Sequence, residues 1–189
     1  MLNQPTSLEV SAKAPSNIAF IKYWGKYGVQ KPLNPSLSMT LHNSYTKTTW
    51  ELVKSDSFAL EVYLDDELKL GFNKKIEKWF NLLGEDFSFL KTSKSIIKTH
   101  NTFPHSTGIA SSASAFAALS FCLARLYSEL YSRDLEIHEI SELARLGSGS
   151  ACRSLEGPFC EWGSSSENYA LPIKDVHESF MSLNDAICI

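Results

Sequence analysis

The sequence has no long apolar run, no close cysteine pair and no large excess of either charge. Its apolar stretches fall short of the roughly 18 to 20 residues that a membrane span needs, and its first residues lack the basic and apolar regions of a signal peptide. The four cysteines, Cys122, Cys152, Cys160 and Cys188, form no Cys-x-x-Cys motif, which favours reduced thiols. These absences predict a cytoplasmic protein with no membrane partner.

Charge and histidine content exclude two further classes. The formal net charge is −3, from 18 Lys and Arg against 21 Asp and Glu, whereas nucleic-acid binding relies on an extended basic face. The five histidines show no metal-ligand spacing, so we expect neither a zinc site nor a nucleic-acid partner. A chain of 189 residues, 43% hydrophobic, is long enough for one domain over residues 1–189 with its own core.

The most informative segment that is present is the first loop, residues 104–114 (PHSTGIASSAS), which runs into a helix pattern. Gly108 allows a turn that a side chain would block, and Ser111 and Ser112 offer hydroxyls. The first amides of a helix lack partners within it and attract anions. Taken alone, such a run is more often an ordinary serine cap than a phosphate site.

Two other segments favour the anion-binding interpretation. In the second loop, residues 147–154 (GSGSACRS), Arg153 can hold a carboxylate or phosphate through paired hydrogen bonds. In the basic segment, residues 14–26 (APSNIAFIKYWGK), an apolar strand pattern carries Lys22 and ends in Lys26. Separately, these could be a flexible connector and a strand with an exposed basic end. Together, the three segments predict a site for a small phosphorylated ligand.

Hydrophobic periodicity predicts an α+β fold with a mostly antiparallel sheet. Strands are expected at residues 8–12, 18–21, 37–42, 46–53, 58–64, 95–99, 158–162 and 184–189, with a loop at 27–36. The first helix is expected at 73–84, capped by Asn73 and stopped by Gly84. The second follows the first loop and buries Phe116, Leu119, Leu123, Leu126 and Leu130. The third covers 135–146, is buried through Ile137, Ile140, Leu143 and Ala144, and is ended by Gly147.

At these segments the sequence resembles the GHMP superfamily of small-molecule kinases, and within it the diphosphomevalonate decarboxylases. Residues 104–113 are similar to the superfamily's ATP-binding pattern, Pro-x-x-x-Gly-(Leu/Ile)-x-Ser-Ser-Ala. The narrower similarity to the decarboxylases lies in NIA (17–19), KYWGK (22–26), NPSLS (34–38) and the second loop. The resemblance implies a two-layer α/β sandwich of the ribosomal-protein-S5-like kind, the GHMP amino-terminal domain. It also implies a carboxy-terminal GHMP domain that is missing from this sequence.

The resemblance further implies a reaction. The family uses ATP and a divalent cation, Mg²⁺, to phosphorylate the tertiary 3-hydroxyl of (R)-5-diphosphomevalonate. Loss of phosphate and carbon dioxide then gives isopentenyl diphosphate, in the mevalonate pathway of isoprenoid biosynthesis. The order is chemically reasonable, because phosphorylation turns the tertiary oxygen into a leaving group and decarboxylation discharges the positive charge left on carbon.

Residue roles carry over by position in the matching motifs. The resemblance implies that the ATP phosphates contact Gly108, Ser111, Ser112 and Ala113. It implies that the diphosphate end of the substrate contacts Tyr23, Trp24, Gly25 and Lys26. The rest of the substrate is assigned to Ser148, Gly149, Ser150, Ala151, Cys152 and Arg153. The candidate catalytic residues are Lys22, Asn17 and Arg153, with Arg153 directed at the carboxylate or a neighbouring phosphate, and no residue is assigned as a metal ligand.

The pattern also departs from the family. Its catalytic aspartate belongs to the missing carboxy-terminal half, so we expect the 189-residue chain alone to be inactive. Glu156, Gly157 and Pro158 stand where family members often carry a Gly-Gly pair. Three alternatives stay open: another GHMP small-molecule kinase, a phosphomevalonate decarboxylase, and a non-catalytic anion-binding module. A homodimer is the assembly that the resemblance favours.

Overall fold

The computed structural model describes residues 6–104 and 109–185. The strands are β1 (Ser7–Ile21), β2 (Lys26–Tyr27), β3 (Lys31–Pro32), β4 (Ser36–Lys54), β5 (Ala59–Leu64), β6 (Glu67–Leu68), β7 (Ser93–Asn101), β8 (Phe159–Trp162) and β9 (Leu171–Pro172). The helices are α1 (Leu70–Phe80), α2 (Ser111–Tyr131), α3 (Ile137–Gly147) and α4 (Glu178–Met181), with 3-10 turns at Glu85–Thr92 and Gly149–Ser154. No helix within these described residues is long and apolar enough to cross a membrane.

Strand β4 is the centre of the main sheet. The order is β6-β5-β7-β4-β8-β9, and β1 also pairs with β4. The first half of β4 pairs with β8, its second half pairs with β7, and both ladders are antiparallel. The pairing of β5 with β7 is parallel. The mostly antiparallel sheet predicted from the sequence is therefore confirmed.

Two long strands replace four that the sequence predicted as separate. β1 pairs with β4 from the Ser7–Val53 pair to the Ile21–Leu37 pair, and a register shift lies between Pro15 and Ser16. With this shift, β1 and β4 continue through residues that the hydrophobic pattern predicted as connections between strands. Pro15 is accommodated because β1 pairs only with β4 among the described strands.

Helices α1 and α2 cover one face of the sheet. Along β5, every second residue is buried, which directs Leu60 and Val62 into the core. Trp50 of β4 is fully buried and stacks on Phe80 of α1, with ring centroids 5.5 Å apart. In the predicted apolar stripe of α2, Phe116, Leu119, Leu123 and Leu126 are buried, and Leu130, near the end of the helix, is only partly buried. This packing gives the two-layer architecture expected from the sequence.

Helix α1 lies earlier in the sequence than predicted. It begins at Leu70 rather than at the predicted cap Asn73, because the Asn73 amide donates to the Leu60 carbonyl of β5 at 2.9 Å and caps nothing. It ends at Phe80, before the predicted stop Gly84, which is extended with φ −68° and ψ 178°.

Three other predictions are corrected. Ile137 is 38% exposed, since it lies in the first turn of α3 ahead of the buried stripe. Residues 27–36 are not all loop, because β3 pairs with β2 in a small hairpin whose turn has φ +50° at Gly28 and φ +58° at Gln30. No strand includes residues 184 and 185, and the rest of the predicted last strand, residues 186–189, lies outside the described residues.

Candidate active site

Helix α2 begins at Ser111 without a side-chain cap. Ala110, just before it, is left-handed with φ 46°. The Ser16 hydroxyl of β1 donates to the Ile109 carbonyl and fixes this approach. No side chain of the described residues caps this 21-residue helix, and although the Ala113 amide donates to the Ala110 carbonyl at 2.8 Å, the positive dipole end of the helix suits an anion. Gly108, with residues 105–107 of the first loop, lies outside the described residues.

The first and second loops meet at two serines. Ser112 Oγ lies 3.3 Å from Ser148 Oγ, although the residues are 36 positions apart. After Ser148 the chain forms a 3-10 helix, Gly149–Ser154, in which the Ala151 amide donates to the Ser148 carbonyl at 2.8 Å. The second loop therefore contains this tight helical turn. Two of the three predicted segments are therefore adjacent.

Arg153 is a buried cation with free donors. Its residue is 3% exposed, and its guanidinium lies 5.6 Å from the centre of the Tyr23 ring. Nη2 donates weakly to Asn17 Oδ1 at 3.5 Å, while Nε and Nη1 have no hydrogen-bond partner among the described residues. Burial lowers the pKa of Arg153. A buried guanidinium with unused donors is costly unless an anion pairs with it.

Asn17 of β1 holds the second loop in place. Its amide nitrogen donates to the Ser154 hydroxyl at 2.7 Å and to the Ser150 carbonyl at 3.1 Å. Its amide oxygen is the acceptor for Arg153. Because the side chain is buried and its amide is used within the protein, Asn17 orients Arg153.

Arg153 opens onto a cleft of about 340 Å³, which we call the Arg153 cleft. It lies between β1, the second loop and the approach to α2. Its lining residues are Asn17, Ile18, Ala19, Lys22, Tyr23, Leu41, Ile109, Ala110, Ser150 and Arg153. The cleft thus brings together three predicted catalytic residues with the predicted substrate residues Tyr23 and Ser150. Burial raises the pKa of Tyr23, and Arg153 opposes that rise.

Asn34 supports the turn at residues 22–24. Its amide nitrogen donates to the Lys22 carbonyl at 3.0 Å and to the Pro35 carbonyl at 2.8 Å, and its oxygen accepts from the Trp24 amide at 2.8 Å. The Lys22 ammonium donates to the Ala19 carbonyl at 3.1 Å. The basic segment is thereby bent so that Lys22 and Tyr23 line the cleft.

Lys26 lies against the second loop. A Cβ on Gly149 would come within 3.2 Å of Lys26 Cε and 3.1 Å of the Trp162 ring, so glycine allows this close approach. The Lys26 ammonium donates to Gln30 Oε1 at 2.6 Å. Burial, and then repulsion from Lys75, lower the pKa of Lys26. Lys26 and Lys75 therefore add positive charge to the same region.

Lys75 of α1 borders a second cavity, the Lys75 cavity, of about 260 Å³ between the sheet, α1 and α2. The walls are mostly apolar, with polar groups from Asn101, Ser111 and Ser112. Burial lowers the pKa of Lys75. The remaining lining residues are Thr48, Val62, Leu64, Phe72, Ile76, Ile97, Thr99, Ala115, Phe116 and Leu119.

The start of α2 separates the two spaces. Ile109 and Ala110 line the Arg153 cleft, and Ser111 and Ser112 line the Lys75 cavity. A cation therefore borders each side of one uncapped helix terminus. This arrangement suits two anionic ligands that meet at the terminus.

Residues 14–171 match the protein family described as the diphosphomevalonate decarboxylase-like N-terminal domain. The chain belongs to this family. Human diphosphomevalonate decarboxylase is 35% identical over 177 residues, covering 86% of this chain and 42% of the relative. The chain therefore spans about two-fifths of the length of that curated relative.

Solved structures agree with this family membership. Mevalonate diphosphate decarboxylase from Staphylococcus aureus has a TM-score of 0.77 and 34% identity, covering 90% of this chain and 51% of that structure. MDDEF in complex with MVAPP, AMPPCP and magnesium has a TM-score of 0.73 and 35% identity, covering 89% of this chain and 51% of that structure. The decarboxylase-like domain is thus similar in fold to both solved structures.

Some predicted site residues of this decarboxylase-like domain lie away from both spaces. Trp24 is 83% exposed and lines neither of them. Ala151 and Cys152 are buried in apolar clusters, so their side chains point into the core. Ala113 is likewise fully buried. Any ligand contact by the three buried residues would use the backbone.

Sequence reasoning missed Lys75 because it belongs to none of the three segments. The only sequence signal is its place beside buried Ile76 in an amphipathic helix. The structure also gives no metal cluster: no group of three or more His, Cys, Asp or Glu able to hold an ion occurs in residues 6–104 and 109–185.

Proposed function

We propose that this chain is the amino-terminal part of an enzyme that uses ATP to decarboxylate (R)-5-diphosphomevalonate to isopentenyl diphosphate. The observation that carries the proposal is the uncapped α2 start, which borders the Arg153 cleft on one side and the Lys75 cavity on the other. Each space offers a cation to an anionic ligand. Family membership, from residues 14–171, supplies the substrate and the reaction.

The Lys75 cavity is the proposed nucleotide site. Its apolar walls suit a flat base, and its polar edge places Lys75, Ser111 and Ser112 at the phosphates. MDDEF, which carries AMPPCP and magnesium, is similar in fold. Serine hydroxyls fit an Mg²⁺ ion that takes most of its ligands from phosphate and water. When bound, that ion neutralises phosphate charge, while Lys75 and the serines orient the nucleotide.

The Arg153 cleft is the proposed site of the diphosphorylated acid. Nε and Nη1 of Arg153 are free to pair with the carboxylate or a neighbouring phosphate. Asn17 holds the guanidinium, and Lys22 stands at the cleft wall. Lys26, beside Gly149, is assigned to the diphosphate with Tyr23. The 3-hydroxyl then lies between the two spaces, facing the phosphate at the α2 start.

Isothermal titration calorimetry on this chain tests the substrate assignment. The wild-type chain should bind 5-diphosphomevalonate, and Arg153→Gln should weaken binding at least tenfold because it removes the paired donors. Arg133→Gln is the matched control, since Arg133 lines neither space and its contacts are an exposed pair with Glu139 and the Tyr127 side chain. Equal affinity of wild type and Arg153→Gln would refute the role of Arg153. Tighter binding of 5-phosphomevalonate than of the diphosphate would favour the monophosphate alternative.

Turnover tests the expectation that the 189-residue chain alone is inactive. The 189-residue chain, given ATP, Mg²⁺ and 5-diphosphomevalonate, should release no carbon dioxide above background. Measurable turnover by this chain would contradict that expectation. The homodimer and the cytoplasmic location stay predictions from the sequence.

A further inference from the structure

Arg145 is a second buried arginine, and it differs from Arg153 in having its donors engaged. It lies in the last turn of α3, and its side chain is 3% exposed. Nε donates to the Asn168 carbonyl at 2.6 Å, and Nη1 donates to the Val29 carbonyl. Nη2 pairs with Glu142 at 3.1 Å. One guanidinium thus joins α3 to two separate backbone segments.

The Val29 carbonyl belongs to the turn of the β2-β3 hairpin. That hairpin has two-residue strands, closed by the Leu33 amide donating to the Gly25 carbonyl at 3.0 Å. A ladder this short is marginal by itself, and Val29 is 46% exposed and gives no apolar anchor. The bond from Arg145 therefore holds the tip of the turn against α3.

The same turn places Lys26. The next residue after Val29 is Gln30, whose side chain accepts from the Lys26 ammonium. The stem of Lys26 contacts Gly149 at the start of the 3-10 turn that follows α3. The β2-β3 hairpin carries Lys26, and the chain that follows α3 carries Gly149, so this contact joins the two elements. Arg145 bonds α3 directly to the hairpin.

We propose that Arg145 is a positioning residue that fixes the β2-β3 turn on α3 and thereby keeps Lys26 beside Gly149. It lines neither the Arg153 cleft nor the Lys75 cavity, so it acts through Lys26 and touches no ligand. The planar guanidinium is suited to this task because it donates in three directions, which an ammonium on a flexible stem does less well. That Lys26 meets a diphosphate rests on the proposed function; the placement of Lys26 does not.

The test compares Arg145→Met, Arg145→Lys and wild type by NMR without any ligand. In Arg145→Met, the Leu33 amide should exchange with solvent at least tenfold faster. The pKa of Lys26, lowered in wild type by burial and by Lys75, should move back toward its ordinary value as the side chain leaves Gly149. Arg145→Lys should give an intermediate result. Arg133→Met, with its exposed Glu139 pair, should change neither quantity.

Two results would overturn the proposal. One is a folded Arg145→Met with unchanged Leu33 exchange and unchanged Lys26 titration. The other, should that variant fail to fold, is an Arg145→Lys protein that folds and matches wild type in both.

Calorimetry with inorganic pyrophosphate then separates this proposal from the proposed function. Arg145→Met should bind pyrophosphate about tenfold more weakly than wild type, as when other groups that orient a binding residue are removed. Lack of pyrophosphate binding by wild type would count against the proposed function, and the NMR result would still decide the role of Arg145.

Discussion

Arg153 and Arg145 are equally buried residues with opposite surroundings. Arg145 has hydrogen-bond acceptors on three sides, whereas Arg153 keeps Nε and Nη1 without an acceptor. Ligand-free, Arg153 carries a desolvation cost that only its weak contacts with Asn17 and Tyr23 offset. A binding residue that is unsatisfied before the ligand arrives gains more from the ligand.

Replacing Arg153 should therefore separate stability from binding. We expect Arg153→Met to raise the free energy of unfolding of the ligand-free chain by about 1 kcal/mol and to abolish detectable binding of 5-diphosphomevalonate. Urea unfolding and calorimetry measure the two effects. Arg145→Met, the matched change, should lower stability by about 2 kcal/mol because it leaves two partly buried carbonyls and Glu142 without their partner. A loss of similar size in Arg153→Met would contradict this account.

The two lysines make a pH prediction. Burial lowers the pKa of both Lys26 and Lys75 below the ordinary lysine value near 10.5, so the unfolded chain holds more protons than the folded chain in the window below that value. The contribution of these two lysines to stability should rise as pH increases through this window, against the fall contributed by Cys122, Cys152 and Cys160, because burial raises the pKa of these thiols to about 12. Phosphate affinity should fall because the lysine cations are lost. Chemical unfolding and pyrophosphate titration between pH 7 and 10.5 measure the two trends. The double variant Lys26→Met, Lys75→Met should lose stability more steeply with pH than the wild type, and its phosphate affinity should change less; parallel stability curves would assign the effect elsewhere.

At the scale of elements, the end of α3 packs so closely against Phe116 that only a glycine fits at position 147. The sequence assigned Gly147 to ending α3, and the helix does end there. A Cβ on Gly147 would also come within 2.0 Å of Phe116 Cδ1. The pattern of one helix cannot reveal this contact, because Phe116 belongs to α2 and the two meet only in the folded protein.

Gly147→Ala should consequently destabilise the chain by about 1 to 3 kcal/mol, as overpacking does. Phe116 also lines the Lys75 cavity, so ATP affinity should fall with stability. Gly84→Ala is the control, since a Cβ there meets nothing within 4 Å and its φ of −68° suits alanine. Thermal unfolding of the two variants measures the difference. Equal melting temperatures would show that Phe116 moves aside without cost.

The start of α2 gives the second prediction at this scale. Ser112→Ala removes a hydroxyl from the point where the two loops meet, and ATP affinity should fall about tenfold. The matched control is Ser120→Ala in the same helix, whose hydroxyl donates only to the Phe116 carbonyl at 2.8 Å. ATP titration of both variants measures this difference. Equal weakening by the two substitutions would indicate a general effect on α2.

At the scale of the whole molecule, the sequence predicted the fold class, the helix stripes and most strand positions. It did so because burial periodicity is local: alternate residues of β5 and the stripe of α2 each report their own face. It missed the joining of 8–12 with 18–21 and of 37–42 with 46–53, because the residues between them break the apolar alternation. Ser16 and Asn17, for example, are polar yet buried, and pairing with β4 orders them.

The same limit explains the candidate site. Motif spacing identified the residues of the Arg153 cleft, which lie in short glycine- and serine-rich segments. Lys75 and Arg145 sit in ordinary amphipathic helices. What distinguishes them is tertiary: a cavity on one side of Lys75, and two distant carbonyls around Arg145.

The continuity of strand β4 affects how the protein unfolds. Its 19 residues run without a break from Ser36 to Lys54. The Ser36 end pairs with β8, and the Lys54 end pairs with β7. Because one continuous strand belongs to both regions, we expect neither region to unfold while the other stays folded. The loss of the binding surface and the exposure of Trp50 should then follow one common transition on heating.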